Sequence, residues 1–183
     1  MIQEFLSSVQ SGIKIITGEL NGNVELELSN NNFFFTSGLT INDLALYENK
    51  LFNEVKLNAQ KTDENTISLN ANLTGNENNI EIDGKYSSGG EVNSIDLDAI
   101  IQRVNLATLQ PVVSDQFNKL SGFISGNIRV TGTTETPDVT GLLRFDDVLV
   151  NPVMLNAEYS ILDEEIEIGN QADCIEQFYH FGC

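Results

Sequence analysis

The chain has 183 residues, 40% of them hydrophobic and 20% charged, enough to bury a core in one or two domains. Twenty-seven acids against nine bases give a net charge of -18, which repels phosphate backbones and anionic membrane surfaces and argues against nucleic acid as a partner. There is no apolar run of about 18 residues, and Met1-Ile2-Gln3-Glu4-Phe5 lacks the basic start and apolar stretch of a signal peptide, so the chain reads as cytosolic or as a segment of something longer. Its two cysteines, Cys174 and Cys183, both fall in the last ten residues and cannot staple the body of the fold.

In chain order, Ile2, Phe5, Leu6 and Val9 share a helical face that Gly12 can end, so a short helix is expected near 1–11. The period then changes to two. "NVELELS" (23–29) alternates Val24, Leu26 and Leu28 with Glu25 and Glu27, and the pattern recurs in "LTINDLAL" (39–46), "EVKLNAQ" (54–60), "TISLNANL" (66–73), "NIEIDGKY" (79–86) and "SIDLDAI" (94–100). In "NLATLQPVVSDQFNKL", Leu106, Leu109, Val113, Phe117 and Leu120 recur at three- and four-residue steps, which predicts a second helix within 105–120, with Pro111 able to open a second turn. Strands resume in "ISGNIRVTG" (124–132), "VTGLLRF" (139–145), "MLNAEYSI" (154–161) and "EIEI" (165–168). A helix feeding a run of strands thus occurs twice, the pattern of a diverged repeat.

The connections are rich in Asn, Gly, Asp and Ser, which tolerate the positive φ of tight hairpins, so an antiparallel meander is expected. Most strands show one wet face, unlike strands buried on both sides. The fold class over residues 1–168 is therefore mainly β with one or two short helices, too few to cover the dry side, so the antiparallel sheet must curl, fold on itself into a sandwich or barrel, or leave an open apolar groove. The side chains expected to line that groove are Ile67, Leu69, Leu73, Ile80, Ile82, Ile128, Val130, Leu143 and Phe145. Residues 169–183 form an atypical tail.

Glycine inside a strand weakens it unless a bend or close neighbour requires it. Yet "LSGFISGNIRVTGTTETPDVTGLLRF" sets Gly126 and Gly132 among Ile124, Ile128 and Val130, and returns after Pro137 through Val139, Gly141, Leu143 and Phe145. The longer stretch "LQPVVSDQFNKLSGFISGNIRVTGTTETPDVTGLLRFDDVLVNPVMLNAEYSI" (109–161) resembles the repeat of TamB, the translocation and assembly module of the AsmA-like superfamily. The matching positions are Leu120, Gly122, Gly126, Ile128, Val130, Gly132, Thr133, Pro137, Val139, Gly141, Leu143 and Phe145, with Tyr159 closing the next strand. The asparagine-rich, lysine-poor wet faces are similar to versions from the Bacteroidetes.

The resemblance implies a segment of a longer envelope protein that spans the periplasm and is held in the inner membrane through parts absent from this chain. It implies a long, taco-like sheet with an apolar concave face. Phospholipid acyl chains would be its cargo on the way to the outer membrane, and an Omp85-type outer-membrane barrel its partner in outer-membrane protein assembly.

Signals for catalysis are absent. His180 is the sole histidine, so the strands hold no Ser/His/Asp triad, and no Walker loop or "HExxH" occurs. No enzyme activity, cofactor or metal site is expected. Asp146-Asp147 and Asp163-Glu164-Glu165 read as solvated turns. In the tail, Cys174, His180 and Cys183 match no familiar zinc spacing. The alternative from another class is a structural β-solenoid or sandwich segment of a secreted or surface adhesin, whose dry face would be an ordinary closed core.

Overall fold

A computed structural model describes residues 16–169, apart from 30, 31, 47, 48, 62 and 91. The helix expected near 1–11 and the 169–183 tail, save residue 169, lie outside the described residues. Alternating residues become ten strands: β1 (Ile16–Ser29), β2 (Asn32–Leu46), β3 (Asn49–Lys61), β4 (Thr66–Gly75), β5 (Asn78–Ser87), β6 (Ser94–Asn105), β7 (Phe117–Thr133), β8 (Pro137–Pro152), β9 (Tyr159–Ile161) and β10 (Glu164–Ile168). They form one antiparallel sheet in which β1 to β8 follow one another in sequence order, and β9 and β10 both pair with β8. The sheet is open and does not close into a barrel, and its strands alternate as expected for an antiparallel sheet with one wet face.

Two elements depart from the sequence expectation. The helix predicted within 105–120 shrinks to a single 3₁₀ turn at Leu106–Leu109, followed by turns up to Gln116. Pro111 has no N–H to continue a helix, and Phe117 and Leu120 are instead recruited into β7 opposite Pro152 and Val150. Consequently the repeat of a helix feeding strands has no second helix. The strand predicted over 154–161 survives only as Tyr159–Ile161, because Leu155 and Asn156 donate their backbone N–H groups to the Pro152 carbonyl and close a turn. Asn156 adopts φ 45, which asparagine tolerates better than most residues.

Bulges rather than loops correct the faces. Ser121 pairs with Leu149 and Phe123 with Asp146, so β8 carries one extra residue at Asp147, whose φ is 48. That extra residue switches β8 from odd to even positions on the dry side, and Val148 becomes the most deeply buried side chain among the described residues. The Asp146-Asp147 pair thus marks a bulge. In β6 a similar shift between Ile101 and Val104 keeps both on the dry side. At the β3–β4 turn, Asp63 Oδ1 accepts from the N–H groups of Asn65 and Thr66, each at 2.8 Å. The Asn65 bond is the largest influence holding the Asp63 carboxyl below its usual range, with Thr66 next.

Candidate functional site

Direct partners in an antiparallel pair project to the same side, so the register defines rows of side chains running across the strands. One row joins Leu20, Ile41, Val55, Leu73, Ile80, Ile101, Gly126, Leu143 and Ile166. The next joins Gly22, Leu39, Leu57, Ala71, Ile82, Ala99, Ile128, Gly141 and Ile168. A third contains Val24, Ala59, Leu69, Leu97, Val130 and Val139. Ile67 belongs to a fourth row through Tyr86 and Ile95, and Phe145 lies opposite Ile124. All nine side chains chosen from the sequence therefore share one face, and each is half-buried.

That face is much wider than the nine residues suggest. Leu20, Leu39, Ile41, Leu57, Leu97 and Ile101 continue it, and their alternation was a signal available in the sequence. Few of its side chains are fully buried: among the described residues the buried apolar ones are Leu46, Val55, Ala71, Leu106 and Val148. No second layer covers the face among the described residues.

At one end the 3₁₀ turn roofs the face. Leu106 and Leu109 close over Ile80, Ile101, Ile124 and Leu143 to leave a hollow of about 280 Å³. Asn78 pins the roof from below. Its Nδ2 donates to the Leu51 carbonyl at 2.8 Å and to Thr108 Oγ1 at 3.1 Å, while its Oδ1 accepts from the Asn105 N–H at 2.7 Å. Thr108 Oγ1 donates to the Asn105 carbonyl at 2.7 Å. Asn78 and Thr108 are both buried, so a hydrogen-bonded polar pair fixes the turn over an otherwise apolar hollow. Nothing in the turn-like "TGNENN" distinguishes Asn78 from its neighbours.

The opposite face is polar. Asn70 donates to Asp83 at 2.8 Å, and Arg129 spans Asp98 (2.8 Å) and Asp96 (2.7 Å) on β6. Arg144 pairs with Glu165, which raises the guanidinium pKa further. A larger hollow of about 730 Å³ crosses β1 to β6 on this side, between the row of Asn23, Asn58, Asn70 and Asp98 and the row of Thr36, Gln60, Ser68 and Asp96. A twisted sheet is saddle-shaped, so each face is concave along one diagonal. A hollow therefore lies on each face, and the one on the side of the polar rows is the roomier of these two.

Of the resemblance positions, Gly126 lies opposite Leu143 and Gly141 opposite Ile128, so these two glycines each face an aliphatic residue across the hairpin. Gly132 pairs with Pro137 at the hairpin end, Gly122 sits at the β8 bulge, and Leu120 opposes Val150. No group of three or more His, Cys, Asp or Glu side chains could hold a metal ion among the described residues, and no helix there is long and apolar enough to cross a membrane. Compared with known proteins, the chain matches no family model, no curated protein and no solved structure.

Proposed function

We propose that this chain is a segment of a TamB-like envelope protein whose aliphatic sheet face carries phospholipid acyl chains toward the outer membrane. On this reading it lies in the periplasm, is attached to the inner membrane through other parts of the protein, and works alongside an Omp85-type barrel in outer-membrane protein assembly. It performs no catalysis. The observation that carries the reading is the continuous aliphatic face, half-exposed across nine strands with no layer over it among the described residues. The resemblance over 109–161 supplies the cargo. A closed adhesin-type core would need a second layer on the same face.

Magnitudes favour a conduit. Each methylene removed from water is worth about 0.8 kcal/mol, so full burial of a chain of about sixteen carbons would gain on the order of 12 kcal/mol and would hinder release. An open face touches only part of each chain and lets it slide. Aliphatic lining without a basic cluster suits that role.

The test is photo-crosslinking in the intact envelope. Crosslinkers at Leu69, Ile82, Ile128 or Leu143 are expected to capture phospholipid, and crosslinkers at Asn70, Asp83 or Arg129 on the polar face to capture much less. Leu142 is a poor control, because it is an apolar side chain on the polar side, 41% exposed between Asn127 and Glu167. Equal capture from both faces would defeat the proposal.

A further inference from the structure

Among the described residues, β1 forms one open edge of the sheet. Within the sheet β1 pairs only with β2, so its outer side presents a row of backbone N–H and C=O groups without partners among the described residues. Pairing with β2 is unbroken from Glu19 to Ser29. No proline or lysine guards the strand, though natural edges commonly use both. Its dry-side residues Leu20, Val24, Leu26 and Leu28 are 53% to 73% exposed.

The charge on the other side selects the occupant. Glu19, Glu25 and Glu27 project to the polar face opposite Asn42, Thr36 and Phe34, and none has a cation within ion-pair distance among the described residues. A second copy adding its own β1 would set glutamates against glutamates. Adding its β10 would bring up Glu165 and Glu167 on that same polar face instead. Like charges across a strand pair are destabilising, and opposite charges are stabilising.

We propose that the β1 edge is a docking site for an extended segment of a partner protein, with apolar and basic residues in alternation, which adds to the sheet as a further strand. Backbone hydrogen bonds to β1 would supply affinity. The partner's apolar side chains would extend the aliphatic face, and its lysines or arginines would lie beside Glu19, Glu25 and Glu27.

The test uses the full chain and a labelled peptide of about twelve residues, alternating valine and lysine, long enough to span most of β1 at roughly 3.4 Å per residue. Two controls accompany it: the same residues in two blocks, and alternating valine and glutamate. The alternating basic peptide is expected to bind at least about tenfold more tightly than the block peptide and to slow hydrogen exchange of β1 amides. Combining Glu25→Lys with Glu27→Lys, both exposed, should leave the dichroism spectrum unchanged, weaken that peptide about tenfold and make the acidic one the better ligand. Equal binding of the block peptide, or binding without slowed exchange, would reduce the effect to charge alone and overturn strand addition. A concentration-dependent dimer that neither peptide disrupts would identify a second copy as the occupant. Failure of every peptide to bind would equally overturn the proposal.

Discussion

Gly126 shows at the scale of one residue why the glycine pattern between Gly122 and Gly141 is structural. Its φ is 141, and a Cβ built there would lie 2.0 Å from the Leu142 carbonyl oxygen, a backbone atom that cannot step aside. The other nearest atoms, the Leu142 carbonyl carbon and the Leu143 Cα at 3.0 Å each, are backbone as well. Gly126→Ala is therefore expected to destabilise the protein by at least about 2 kcal/mol in urea unfolding. Gly38 is the matched control, since a Cβ there meets nothing nearer than 3.5 Å and its φ carries no such restriction. Gly38→Ala should be neutral or stabilising by up to about 1 kcal/mol. A similar loss at both sites would mean that strand glycines matter for some reason other than close approach.

Elements were legible wherever the period of two ran uninterrupted. β3, β4, β5 and the paired cores of β7 and β8 follow directly from the alternation of residues such as Val55, Leu57 and Ala59. Misreadings came where tertiary pairing overrode local pattern. Phe117 and Leu120 keep a helical spacing, yet β8 offers them a strand partner, and Phe33-Phe34-Phe35 hides the alternation at the start of β2. Of the candidate site, the dry face was visible and its roof was not, because the roof depends on Asn78 meeting Thr108 from thirty residues away. Replacing Asn78 with alanine strands the Asn105 N–H and the Leu51 carbonyl in a part-buried place. Asn78→Ala is expected to cost about 2 to 3 kcal/mol and to speed hydrogen exchange at residues 105–109 before the rest of the sheet. Uniform acceleration would show instead that the turn and the sheet open as one unit.

At the scale of the whole molecule, what decides function is whether the aliphatic face stays open or is covered. Arginine at position 128 separates the two. Ile128 is half-buried within its row, and its direct partners are the small Ala99 and Gly141. Under a packed second layer, a guanidinium there would be buried without a partner at a cost of several kcal/mol, and the chain would unfold. On an open face the long side chain can rise past Ala99 and Gly141 and keep its charge in water. Ile128→Arg is thus expected to leave the strand dichroism intact and to shift unfolding by about 1 kcal/mol or less. It should also place a charge across the path of any acyl chain, so phospholipid crosslinking at Leu69 and Leu143 and lipid delivery in the intact protein should both fall. Folded protein with undiminished delivery would remove the lipid path from this face. Unfolded protein would point to a covering layer from outside the described residues, and the aliphatic rows would then be a core.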